Sequence, residues 1–243
     1  MTQVLILGGT TEARRLCDLL SKRNVAATVS LAGVTATTAK FSLPVRSSGF
    51  GGVAGLSQWM NEKETRAVVD ATHPFASQMP WNAHAVCRAD AIPRLRLLRP
   101  AFRRSDATEY APDLKRALNQ IAPGHRVLVT SGRTGTEAMA ARTDLHIVLR
   151  TIEPVDRLPD HIAALHNRPP FMLADEIALL RDRHIDVLIA KDSGGVTAPK
   201  LDAAAKLGIR TILITRPAPP PGPLVQTAEQ AVAWLRHMVG IAA

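Results

Sequence analysis

Aromatic residues are scarce in this chain, with one tyrosine, three tryptophans and five phenylalanines making up 4% of 243 residues. That scarcity removes the interleaved basic and aromatic side chains on which single-stranded nucleic acids stack. The two cysteines, Cys17 and Cys87, have no C-x-x-C spacing and no histidine cluster beside them. Neither a zinc site nor a disulfide framework can be built from them, so no metal is expected and both read as free buried thiols. No run of 18 apolar residues is present, which leaves no candidate membrane span. The N-terminus lacks a positively charged region and a cleavage site around its short apolar stretch, so the cytoplasm is the expected location.

What the chain has in excess is arginine. Of 30 basic residues 23 are Arg and seven are Lys, and the formal net charge is +9. Guanidinium groups suit bidentate recognition of carboxylate and phosphate, so a few converging arginines would serve a small polyanion. The remainder coat solvated faces, and with so few aromatics nucleic acid is not expected as a partner.

Strand-like apolar runs alternate with helical patterns along nearly the whole length, which predicts an α/β fold with mainly parallel sheets. In the first lobe, 1–100, strands are expected at Val4–Leu7, Val25–Leu31, Ala67–Asp70 and Arg94–Leu98, with helices near 11–22, 53–63 and 77–90. A stretch rich in proline and charge, 101–112, reads as a linker. The second lobe, 113–243, carries expected strands at Arg126–Val129, His146–Arg150, Asp186–Ala190 and Thr211–Ile214. Its helices are expected near 113–121, 134–142, 173–184, 197–207 and 227–239. The Pro217–Pro223 run reads as a rigid surface connection. Two Rossmann-like lobes with a ligand cleft between them are the expected architecture.

The chemistry is expected at the strand ends. Val4–Leu7 runs into Gly8-Gly9 and then a helix that Thr10 or Thr11 can cap, with Glu12 in its first turn. Side-chain-free glycines let a ligand approach the backbone, and unpaired helix amides then face its phosphates. The pattern G-G-T-x-x-A is an incomplete G-x-G-x-x-G. After the second strand come Ser30, Ala32 and Gly33, with no acid before Glu62 to hold a ribose 2′-hydroxyl. With Thr35, Thr37, Thr38, Lys40 and Arg46 nearby, this favours NADP over NAD. SSGFGG places Gly51 and Gly52 at another helix start. DATHPFA, Asp70–Ala76, concentrates Thr72, His73, Pro74 and Phe75 directly after the third strand, and His73 is the candidate proton donor. In the second lobe TSGRTG offers Ser131, Gly132 and Arg133 to an anion. KDSGGVTAPK offers Lys191, Ser193, Gly194, Gly195 and Lys200, but is not a nucleotide-hydrolysing P-loop, because Leu201 follows Lys200.

These motifs together resemble the NAD(P)H-dependent precorrin-6A reductases of cobalamin biosynthesis. The likeness runs in order from GGTTEAR at Gly8–Arg14, through Gly49–Gly52 and DATHPFA, to KDSGG at Lys191–Gly195 and Arg216-Pro217. It implies two Rossmann-like lobes enclosing cofactor and tetrapyrrole, and hydride transfer from NADPH to one carbon–carbon double bond of precorrin-6A, giving precorrin-6B. It further implies that Gly8, Gly9, Thr10 and the Ala32-Gly33 turn hold the cofactor, while DATHPFA and the second-lobe loops enclose nicotinamide and substrate. The polycarboxylate macrocycle matches the arginine surplus, and transient contact with neighbouring pathway enzymes is in keeping with it. Where many relatives carry arginine, this chain has Val34, so another cation, Lys40 or Arg46, would read the 2′-phosphate. Two rivals stand beside this reading. A short-chain dehydrogenase or epimerase needs Tyr-x-x-x-Lys, but the single Tyr110 is followed by Leu114; the other rival is a non-enzymatic nucleotide-binding module.

Overall fold

The computed structural model describes residues 4–31, 41–102, 108–132, 134–152, 154–155, 157–168, 170–195 and 198–241. In chain order the first elements are β1 (Val4–Leu7), α1 (Thr11–Ser21), β2 (Ala27–Leu31), β3 (Val45–Ser47), α2 (Gly52–Glu62), β4 (Ala67–Asp70), α3 (Gln78–Ala89) and β5 (Arg94–Leu97). Then follow β6 (Thr108–Ala111), α4 (Leu114–Asn119), β7 (Arg126–Val129), α5 (Thr136–Ala140), β8 (His146–Thr151) and β9 (Ile162–His166). The last are α6 (Leu173–Asp182), β10 (Val187–Lys191), α7 (Pro199–Leu207), β11 (Arg210–Ile214), β12 (Leu224–Val225) and α8 (Ala228–Val239).

Two compact units result, Met1–Pro100 with Pro217–Ala243, and Ala101–Arg216. Each contains a six-stranded sheet whose pairings are all parallel, β12-β5-β4-β1-β2-β3 in the first and β6-β11-β10-β7-β8-β9 in the second. The central strand β1, VLIL, is apolar without alternation because both its faces are covered. Val4 and Ile6 of β1 join one cluster with α1 and α8 residues such as Leu16, Leu20, Val232 and Leu235. Leu5 and Leu7 join a cluster on the other face with Leu56 and Met60 of α2 and Val86 of α3. Each such buried leucine contributes roughly 1.5–3 kcal/mol of transfer free energy.

The expected α/β class and parallel sheets match the structure, but the boundaries of the halves do not. Residues 217–243, read as the end of the second lobe, lie in the first unit: β12 pairs with β5, and α8 packs on α1 in the shared apolar cluster. The supposed linker contains β6, which pairs with β11 in the second sheet. Both strands sit at sheet edges, where one neighbour suffices and a short segment is enough. Also unforeseen were β3 and β9, edge strands as well.

Candidate functional site

In the first sheet the chain order reverses between β1 and β4, the position at which ligands of open parallel sheets bind. Two of the sequence motifs meet there. The Thr10 hydroxyl accepts from the Ala13 amide at 3.1 Å and donates to the Ala71 carbonyl at 3.0 Å, so it caps α1 and ties GGTTEAR to DATHPFA. Gly8 donates to the Ser30 carbonyl at 2.8 Å, and a Cβ on Gly8 would lie 2.8 Å from Val29 Cγ2. Its missing side chain therefore serves the packing of β1 on β2. Gly9 is the residue that opens toward solvent, exposed, with φ +130° and nothing within 4 Å of a Cβ built on it.

The amides of Thr11 and Glu12 open α1 and, by helix geometry, lack intrahelical acceptors. A carboxylate in that first turn would repel an anion, but Glu12 is paired with Arg99 at 3.3 Å. Backbone donors, a bare glycine and a neutralised acid fit the diphosphate of a dinucleotide.

DATHPFA owes its shape to a buried ion pair. Asp70 ends β4 opposite Arg96 of β5, and Arg96 Nη1 donates to Asp70 Oδ1 at 2.5 Å with both side chains almost wholly buried. Arg96 also donates to Thr72 Oγ1 at 2.7 Å and to the His73 carbonyl at 3.5 Å, while Asp70 Oδ1 accepts from the Thr72 amide and hydroxyl. The Phe75 amide donates to His73 Nδ1 at 3.2 Å, which leaves that nitrogen unprotonated and puts the imidazole proton on Nε2. Thr72 is thus a scaffold residue, Pro74 is buried, and His73 and Phe75 are half-buried.

Ser30 is buried at the end of β2. Ala32, Gly33, Thr35 and Lys40 lie outside the described residues. Arg46 directs its guanidinium to its own loop, donating to the carbonyls of Ser48 at 2.5 Å and Gly49 at 2.9 Å and lying 3.9 Å from the centre of the Phe50 ring. Gly51 and Gly52 have φ of +79° and +90° and start α2 in the open, without a side-chain cap.

The second unit presents its own strand-end loops. Ser131, after β7, is 4% exposed and its hydroxyl has no hydrogen-bond partner among the described residues. Gly132 follows at φ +79°, and Arg133 lies outside the described residues. In KDSGG, Asp192 fastens the borders of the unit: its carboxylate accepts from the Phe102 amide at 2.9 Å and its carbonyl from Arg216 Nε at 2.6 Å. Ser193 is half-exposed, Gly194 is buried with φ +65°, and Gly195 is exposed with φ +122°. Burial lowers the Lys191 ammonium below its usual range. Lys200, at the second position of α7, is drawn down to about 8 by desolvation, then by the charge of Arg150, with Glu176 opposing and Lys191 adding to the effect.

Arg150 and Glu176 were not singled out from the sequence. They form a buried ion pair at 2.5 Å, and Arg150 also lies over the Phe171 ring at 4.3 Å. The available signal was an arginine near the end of an otherwise apolar inner strand, which needs a counter-charge. Arg96, in the alternating RLRL of β5, carried the same signal.

Cys17 and Cys87 are free and buried, and burial pushes both thiols up to about 12. Among the described residues, no helix is long and apolar enough to cross a membrane.

Comparison with known proteins places this arrangement. The family described as precorrin-6x reductase CbiJ/CobK matches residues 3–236. Precorrin-6A reductases of Rhodococcus erythropolis and Mycobacterium tuberculosis are each 41% identical over 97% of this chain and 98% of their own length. A solved structure described as CobK precorrin-6A reductase is 36% identical, covers 99% of this chain and 100% of its own, and superposes with a TM-score of 0.89. With its motifs, its two parallel sheets and this full-length agreement, the chain belongs to the precorrin-6x reductase family and is an enzyme.

Proposed function

We propose that the protein uses NADPH to reduce one carbon–carbon double bond of precorrin-6A, giving precorrin-6B. The observation that carries the cofactor half of this reading is the β1 to α1 turn, where Gly9, the open amides of Thr11 and Glu12, and the Glu12–Arg99 pair stand at the reversal of strand order. Relatives named for precorrin-6A are 36–41% identical, whereas relatives named for cobalt-precorrin-6A are 27–29% identical, which favours the metal-free macrocycle.

Bound nicotinamide supplies the hydride, and the protein's task is to position and to exclude water. Gly8, Gly9, Thr10, Thr11 and Glu12 hold the diphosphate end, with Ser30 and the Ala32-Gly33 turn beside the ribose. Gly51 and Gly52 add backbone donors from α2. The Asp70–Arg96–Thr72 network keeps the backbone of His73 fixed, and His73 Nε2–H is the donor that this loop can present to the substrate. Phe75, Ser131, Gly132, Arg133, Lys191, Ser193, Gly194, Gly195 and Lys200 receive the macrocycle and its carboxylates. Because Arg46 already serves the carbonyls of Ser48 and Gly49, Lys40 is the better candidate to read the 2′-phosphate.

The test is consumption of NADPH with authentic precorrin-6A, run beside NADH. NADPH is expected to give at least a tenfold higher kcat/KM, equivalent to about 1.4 kcal/mol. Gly9→Val, which forces a branched side chain into positive φ and into the ligand's space, is expected to raise the KM for NADPH at least tenfold while leaving the KM for precorrin-6A unchanged. No oxidation with authentic substrate sinks the reading.

A further inference from the structure

A cleft within the first unit is lined by the start of α3, the end of β5 and the returning segment at Pro217–Pro220. Strand register fixes which side chains face it. Val68 of β4 packs with Ala83 and Val86 of α3, so Asp70, two residues on, points to the same covered face of the sheet. Arg94 is level with Val68 and Arg96 with Asp70, which puts both arginines on the α3 side, and Leu98, next in the same alternation, reaches the cleft wall. Two buried guanidiniums thus stand beside one buried carboxylate.

Arg94 gives one N–H to the Pro221 carbonyl at 2.8 Å and so anchors the proline-rich wall. Arg96 divides its guanidinium between two tasks. Nη1 serves Asp70 and Thr72, whereas Nη2 reaches the His73 carbonyl at a long 3.5 Å and Nε has no partner among the described residues. The Nε–Nη2 edge is a fork that can grip a carboxylate through two parallel N–H bonds. Arg96 is 3% exposed and lines the cleft, while Asp70, whose Oδ2 also lacks a partner among the described residues, does not line it. Among the described residues of that lining no side chain is acidic, and Arg96 is the charged one. Ser77, exposed at the N-cap of α3, makes no capping bond with its hydroxyl, and the positive end of the helix adds to the field there. Pro217, Pro219 and Pro220 carry no N–H, and with Trp81, 49% exposed, they supply apolar walls.

We propose that Arg96 and Ser77 form a carboxylate subsite that takes one acetate or propionate arm of the macrocycle, with Trp81 and the prolines against the apolar part of the arm. The owner of that carboxylate rests on the reductase reading; the chemistry of the subsite does not. The Arg96 fork and the Ser77 hydroxyl donate to the two carboxylate oxygens, and with no acid in the described lining nothing there repels them. Asp70 and Thr72 hold the far edge of the guanidinium and so aim the fork. Because Arg96 also meets the His73 carbonyl, an arm seated here brings the macrocycle to the loop that carries His73.

The probe is uroporphyrin I, a stable tetrapyrrole with acetate and propionate on every ring, titrated into the full chain by fluorescence beside steady-state assays with precorrin-6A. Ser77→Asp puts a negative charge where the carboxylate sits, yet an acid at a helix N-cap does not weaken the helix. It is expected to lower probe affinity and raise the KM for precorrin-6A by about tenfold, with the thermal midpoint no lower and the KM for NADPH unchanged. Ser77→Ala, which removes one hydroxyl donor, is expected to weaken binding by about fivefold with the midpoint unchanged. Arg96→Lys keeps a cation for Asp70 but loses the fork, and is expected to weaken binding by about tenfold; the Ser77 variants decide the matter if it does not fold. Equal probe binding by wild type and Ser77→Asp, including none by either, overturns the subsite, and so does a rise in the KM for NADPH, which would give the cleft to the nucleotide. Turnover of precorrin-6A that Ser77→Asp leaves untouched removes the subsite and spares the reductase reading. Ser77-dependent probe binding by a chain that does not turn over precorrin-6A spares the subsite and removes the reading.

Discussion

Counted from one edge, the two sheets have the same strand order, β3-β2-β1-β4-β5-β12 against β9-β8-β7-β10-β11-β6, yet they are wired differently. After β5 the chain gives its next strand to the second sheet, and after β11 it returns to give the last strand to the first. The second unit is a continuous segment and the first is not. A shared order therefore does not need a shared connectivity, because the sixth position is an edge that any short strand of the right polarity can fill.

The buried arginine pairs near the strand ends differ in a parallel way. Arg96 spends its donors on Asp70, Thr72 and the His73 carbonyl and so builds a loop. Arg150 spends one on Glu176 and rests on Phe171, among further cations. One pair braces the backbone that carries His73; the other ties β8 to α6.

Removing residues 217–243 should break the comparison most sharply. Without β12 and α8 the first unit loses cover for β5 and α1, and the apolar side chains of Ala231, Val232 and Leu235 are lost from the core. Loss of cooperative unfolding and of NADPH binding is expected, measured by denaturant titration and equilibrium dialysis; a folded, binding-competent product would show that the returning segment is dispensable. Next is Arg96→Met, which leaves Asp70 buried without its counter-charge and should cost about 3–5 kcal/mol in urea unfolding. A loss below about 1 kcal/mol would mean that the pair is not what holds the loop.

The smallest effect has the opposite sign. The folded Lys200 ammonium sits near 8 rather than at its ordinary 10.5, so folding resists its protonation, fully below about 8 and not at all above about 10.5. Lys200→Met should stabilise the protein by about 2 kcal/mol at pH 7, and the gain should shrink steadily as pH rises from 8 to 10.5. A gain independent of pH would assign the effect to packing instead.

Much of the first sheet could be read from residues. Val4–Leu7 followed by Gly8-Gly9 and Thr10 announces strand, turn and cap because each step uses local chemistry, and the cap forms as expected. DATHPFA was legible as a polar loop on a buried strand. Its brace was not, since Asp70 and Arg96 are 26 residues apart and meet only through β4–β5 register. The same limit hid Arg150 and Glu176. The traded sixth strands were hidden for another reason: Thr108–Ala111 is short and partly polar and Leu224–Val225 is only two residues long, so neither shows a period, and only tertiary pairing makes them strands.

The returning segment also sets a timetable. A chain emerging from the ribosome delivers the β1 to α1 turn before the second unit, yet α1 gains its α8 partner only after 101–216 have been made. The second unit can complete itself during synthesis, while α1 waits with Leu16 and Leu20 only partly covered. Of the two units, the one whose synthesis begins earlier is thus the later to mature, and a truncation that removes 217–243 would spare the unit of 101–216 while leaving the other unfinished.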